Sequence, residues 1–108
     1  MESEVLNRMD RTIVRSFLDM IILMELRKGP LSGYDIISFV HKKFRILLSS
    51  GTVYSYIYAL ERDGLVDGQH TRRKRVYTLT ERGKETVVTL LNSKDKILGL
   101  VLNLFAGE

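Results

Sequence analysis

Apolar side chains return every three or four residues through the first part of the chain, at Leu6, Met9, Ile13, Phe17, Met20 and Met24. That spacing predicts one helix from about Val5 to Lys28. Val14, Leu18 and Ile21 widen the stripe, and Ile22 leaves this stretch apolar nearly all round, as in a helix buried on more than one side. Gly29-Pro30 ends it, because proline disfavours helical backbone in the residue before it. Ser32 is the expected N-cap of a second helix carrying Tyr34, Ile36, Ile37, Val40 and Phe44, with Asp35, Ser38, Lys42 and Lys43 mostly opposite. After a short connection from Arg45 to Leu48, Ser49-Ser50 offers a cap for a third helix over about Gly51 to Asp63. Gly64 is its left-handed stop. Successive residues turn by about 100°, so Val53, Ile57 and Leu60 share one face of this helix. Ser55, Tyr58 and Arg62 point away from them, with Tyr54 at one edge and Thr52 and Ala59 at the other.

The pattern then changes to short extended runs. Leu65 to His70 and Arg75 to Leu79 read as a hairpin, and alternation in the second run places Tyr77 and Leu79 on one face. Thr80 caps a final long helix, with Glu81 near its positive end. Val87, Leu90, Leu91, Leu98, Val101, Leu102 and Phe105 form its stripe, interrupted at Asn92, Ser93 and Lys94. Three helices followed by a two-stranded β-wing are the parts of a winged helix-turn-helix, a mainly α (α+β) fold whose recognition helix enters the major groove. Residues 1–80 form the expected DNA-binding unit, including an N-terminal helical extension. Residues 81–108 form a C-terminal dimerisation helix within the same compact unit.

Composition narrows the function classes. At 108 residues the chain suits one domain, and 44% hydrophobic with 28% charged residues suits a globular one. The net charge is +4, and Arg72, Arg73, Lys74 and Arg75 stand side by side in the expected wing. As an isolated run these four read as a solvated loop. At the tip of a hairpin that follows a recognition helix they suit phosphate or minor-groove contact. The absence of cysteine excludes disulfides, thiolate metal sites and a cysteine nucleophile. His41 and His70 stand alone, far from carboxylate clusters, so no metal site is expected. Neither a nucleophile elbow nor a glycine-rich phosphate loop occurs, so neither catalysis nor a cofactor is expected. The longest apolar run, Met20 to Met24, is far short of the roughly 20 residues that span a membrane. With an acidic start and no signal-peptide pattern, the expected location is cytoplasmic.

Four motifs in order resemble those of the PadR-type transcriptional regulators. They are Gly29-Pro30-Leu31-Ser32-Gly33-Tyr34-Asp35-Ile36, Ser50-Gly51-Thr52-Val53-Tyr54, Leu60-Glu61-Arg62-Asp63-Gly64-Leu65-Val66, and Arg73-Lys74-Arg75-Val76-Tyr77-Thr78-Leu79-Thr80-Glu81-Arg82-Gly83. Where the family usually has proline and then a basic residue after the tyrosine of the third helix, this chain has Ser55, Tyr56 and Tyr58, which implies a different reading of bases. The short C-terminal part resembles the family's compact subgroup. The expected DNA contacts begin at the start of the third helix, where Ser49, Ser50 and Thr52 cap the helix and can hold a phosphate at once. Tyr54 is expected on phosphate, Tyr58 and Ser55 towards base edges, and Arg72, Arg73, Lys74 and Arg75 on the backbone. Arg75, at the root of the strand, can also turn back to the body. Tyr34 is placed near the DNA backbone by the resemblance, with packing under Pro30 as the alternative.

The first and last helices carry more apolar surface than one winged core needs. Leu6, Met9, Ile13, Phe17, Leu91, Leu98, Val101, Leu102 and Phe105 are therefore the expected interface of a homodimer. The resemblance implies an apolar chamber at such a seam. Without tryptophan, a flat aromatic effector there stacks only on residues such as Phe17 or Phe105, among Leu90, Leu91 and methionines. The expected function is sequence-specific regulation of transcription, as a repressor bound as a homodimer to an inverted repeat of double-stranded DNA. An architectural DNA-coating protein and a protein-binding winged helix are the alternatives.

Overall fold

Leu18 and Ile22, both without exposed surface, sit in the core of the protein. The computed structural model describes residues 1–107 and, among them, six helices and three strands. Helix α1 spans Glu2–Ser16 and α2 Leu18–Leu26. Strand β1, Leu31–Ser32, leads into α3, Gly33–Phe44, and then α4, Ser50–Arg62. Strands β2, Val66–His70, and β3, Arg75–Leu79, precede α5, Glu81–Asn92, and α6, Lys94–Asn103. Helix α2 buries Leu18, Ile22, Leu23 and Leu26 against Ile36 and Val40 of α3, Val53, Ile57 and Leu60 of α4, and Val66, Tyr77 and Val87. This is a winged helix-turn-helix: α3 and α4 are the helix pair and β2–β3 the wing.

Local chemistry fixes the elements that present the site. Ser32 closes a capping box at the head of α3: its hydroxyl accepts from the Asp35 N–H at 3.1 Å, and Asp35 accepts from the Ser32 N–H at 2.9 Å. Ser49 caps α4 by accepting from the Thr52 N–H at 3.2 Å, and Thr80 caps α5 by accepting from the Gly83 N–H at 3.0 Å. Helix α4 ends in a Schellman motif, with Leu65 N–H bonded to the Leu60 carbonyl and Gly64 N–H to that of Glu61, each at 3.0 Å. Gly64 sits there at φ +75°, a conformation a side chain would strain. Helix α4 therefore stops at a defined place and hands the chain directly to the wing.

Three expectations need correction. The helix expected over Val5–Lys28 is two: the backbone leaves helical geometry at Phe17 (φ −104°, ψ 16°), and α2 ends at Leu26. The interruption is one residue long, since Phe17 N–H still reaches the Ile13 carbonyl and the Phe17 carbonyl still accepts from Ile21. It falls where an exposed arm gives way to the buried α2, and no glycine or proline marks it. The last helix is broken likewise at Ser93, within the polar interruption of its stripe. The sheet has a third strand: β1 pairs antiparallel with β3, Leu31 opposite Tyr77 and Ser32 opposite Val76, giving the order β1-β3-β2. This seats the head of α3 directly beside the root of the wing.

Candidate nucleic-acid interface

The buried face of α4 is Val53, Ile57 and Leu60, as its spacing predicts, and this forces Ser55, Tyr58 and Arg62 outwards into solvent. Tyr58 is half-exposed. At the amino end Ser49 and Ser50 are exposed and Thr52 is half-buried, with the Ser49 and Thr52 hydroxyls 2.9 Å apart. As at any helix start, the first backbone N–H groups lack intrahelical acceptors and face outwards with a partial positive charge. The Ser55 hydroxyl donates to the Thr52 carbonyl at 2.9 Å, so it lies folded against its own helix. Tyr34, in the first turn of α3, is 76% exposed, which rules out its packing under Pro30.

Tyr54, expected on phosphate, also has a packing role. Its ring is half-buried and lies so close over Gly33 that no Cβ fits at that position. Its other side meets the Tyr58 ring, centroid to centroid at 5.8 Å. Tyr54 is therefore a wedge between α3 and α4, and of these two rings Tyr58 is the more exposed. Gly33 and the distant Tyr54 form one packing unit, which spacing along the chain does not reveal.

The basic run divides into three. Thr71 closes the wing tip, its N–H and hydroxyl both donating to the Lys74 carbonyl at 2.8 and 3.0 Å. Arg72 and Arg73 project from that tip and make no ion pair among the described residues. Lys74 instead turns towards Asp35 of α3, 3.7 Å away, beside exposed Tyr34. The Asp35 carboxyl is held below its ordinary pKa, first by the Ser32 backbone N–H and further by the Ser32 hydroxyl and Lys74. Arg75 leaves the tip altogether and pairs with Glu61 in the last turn of α4 at 3.1 Å. Sequence reasoning missed both carboxylates. Each lies in a recognisable motif, but its partner comes from a different element.

No group of histidines and carboxylates among the described residues could hold a metal ion. No described helix is long and apolar enough to cross a membrane. Most of the residues expected at a dimer seam lie on two projecting arms. Leu6, Met9 and Ile13 are exposed along α1, and Leu98, Leu102 and Phe105 are exposed on or just beyond α6. Phe17, Leu91 and Val101 are half-buried and, with Met20, Met24, Leu90, Lys94, Ile97 and Leu98, line an almost wholly apolar groove of about 410 Å³.

Comparison with known proteins gives this geometry a context. The family model described as transcriptional regulator PadR-like matches residues 22–88, from α2 to the second turn of α5. Bacillus subtilis PadR, solved in complex with operator DNA, is 32% identical with a TM-score of 0.64. That match covers 68% of this chain but 46% of that one, so it spans less than half of the relative's length. A transcriptional regulator from Clostridium thermocellum matches with a TM-score of 0.72 at 23% identity, over 87% of this chain and 94% of its own. A PadR-family regulator from Eggerthella lenta matches over 99% and 97% of the two chains, at 21% identity and a TM-score of 0.74. No curated protein matches the sequence. The four motifs, the winged fold and the family match agree: the chain belongs to the PadR-like family of transcriptional regulators.

Proposed function

We propose that this regulator is a repressor that binds an inverted-repeat operator as a homodimer, with α4 in the major groove and the wing on the neighbouring backbone. One observation carries the reading. The solvent face of α4 shows Ser55 and Tyr58, the capped amino end lies at one extreme, and the exposed Arg72 and Arg73 stand on the wing that its other end launches. In this arrangement Ser49, Ser50, Thr52 and Tyr34 hold phosphate, Ser55 turns from its helix to a base edge, and Tyr58 reads beside it. Lys74 exchanges Asp35 for phosphate on binding. Residues 1–80 act as the DNA-binding unit and those from 81 onwards as the dimerisation arm. Supporting the DNA partner, the Bacillus subtilis relative was solved on its operator. The apolar groove, roofed by a second subunit, offers an apolar effector a place at the seam.

Salt dependence tests the wing. Each phosphate neutralised contributes about 0.9 to the slope of log affinity against log salt. Replacing Arg72, Arg73 and Lys74 together with alanine is expected to make that slope shallower by about 2.7, with a similar loss on operator and random DNA. Fluorescence anisotropy at several salt concentrations measures both. A triple variant with the parent's slope would remove the wing from the phosphates.

A further inference from the structure

Glu61 and Arg75, the latter expected from sequence on the DNA backbone, make the shortest ion pair among the described residues, and it joins β3 to α4. The Arg75 side chain starts at the tip end of β3, crosses β2 over Gly68, and ends on α4, with Nη2 3.1 Å from Glu61 Oε2. A Cβ built on Gly68 would stand 2.5 Å from Arg75 Nε and 2.6 Å from Cζ, so the missing side chain at 68 is what opens this path. Gly68 lies opposite Tyr77 in the β-ladder, and the Arg75 guanidinium is 5.7 Å from the Tyr77 ring centroid. Tyr77 is 1% exposed and belongs to the core. The guanidinium is therefore held by a carboxylate, a ring and a notch from three different elements.

The wing needs such a hold. From Gln69 to Lys74 every residue is exposed, so the outer hairpin has no apolar base beneath it. A two-stranded ribbon without such a base is marginally stable in water. We propose that Glu61, Gly68 and Arg75 form a strut that sets the angle between the wing and the recognition helix. Arg75 is a positioning residue acting through Arg72 and Arg73, not a phosphate ligand. The opposite role for the same pair is a mask, in which Glu61 withholds Arg75 from DNA. The fit of Arg75 between Gly68 and Tyr77 favours the strut, because reaching DNA would abandon both.

The proposal rests on the DNA-binding reading, but its test includes a measurement made without DNA. The variants are Glu61→Gln, which removes a negative charge near DNA, and Gly68→Ala, which alters no charge but displaces the guanidinium. In the free protein, amide 15N relaxation should show larger motion of residues 71–74 in both variants, with the thermal unfolding midpoint nearly unchanged. On operator DNA each should bind about two- to fivefold more weakly, the range for loss of an exposed or half-exposed ion pair. The salt slope should stay within error of the parent's, since no phosphate partner is lost. The double variant should be no weaker than the weaker single, and Arg75→Lys, which can keep a pair with Glu61, should retain more affinity than Arg75→Gln. Tighter binding by Glu61→Gln, with a slope steeper by about 0.9, would establish the mask and overturn the strut. Wing amides as rigid in both variants as in the parent would also overturn it, whether or not DNA binds. Failure of the parent protein to bind any DNA would refute the DNA reading, while the relaxation result still decides the strut.

Discussion

Gly33 and Tyr54 show how a single hydrogen atom positions the two helices of the reading head. Because position 33 has no side chain, the Tyr54 ring can lie against the start of α3. Neither glycine freedom nor helix propensity explains the choice, since Gly33 has no positive φ. Gly33→Ala is therefore expected to destabilise the fold by about 1–3 kcal/mol through overpacking. Thermal or denaturant unfolding measures it. In a Tyr54→Ala background the same substitution should cost much less, because the ring it strikes is gone. Equal costs in the two backgrounds would mean that the cost does not arise from the Tyr54 ring.

Helix α4 separates its tasks by face, and substitutions on the outer face should separate specificity from charge. Ser55→Ala with Tyr58→Ala is expected to lose about 1–3 kcal/mol per base contact on the preferred operator, and little on random DNA. The salt slope should stay near the parent's, unlike that of the wing variant. Equal operator and random-DNA affinities to those of the parent would show that this face does not read sequence. This face could be read from the sequence because helical periodicity and caps are local properties. Ser32, Ser49, Thr80 and Gly64 mark their helix ends as their chemistry requires. Strand β1 could not be read that way, because two residues are too few to show alternation and its pairing is supplied by β3. The break at Phe17 likewise has no local marker, whereas that at Ser93 lies in a visible polar gap. The division of the basic run was hidden for a third reason. Arg75 and Glu61 are partners across fourteen positions, and only the turn at Gly64 and the path over Gly68 bring them together.

The whole molecule is longer than its core requires. Its extents are 50 × 31 × 21 Å and its radius of gyration 15.2 Å, against about 13 Å for a compact domain of this length. The excess is explained by α1 and α6, which extend from the winged core and bury little: only Val14 is buried on α1, and no residue on α6. Apolar surface arranged in this way on two arms calls for a partner, and a second copy has a matching pair of arms. Truncation after Ser93 tests this without touching the core, because Val87, the last buried apolar residue described, lies before the cut. The truncated chain should keep its helical circular dichroism but sediment as a monomer. If the shortened chain proves unstable, Leu98→Asp with Leu102→Asp in the full chain should have the same effect on assembly, since each places a charge on the exposed stripe. Operator affinity should fall in step, because a monomer engages one half-site and loses the gain from linking two. Half-sites of one inverted repeat lie about 34 Å apart on the same DNA face, so only a dimer fixes both α4 helices at that spacing. The loss should therefore be large on the full repeat and small on a single half-site. A truncated or doubly substituted protein that still sediments as a dimer would move the interface away from α6.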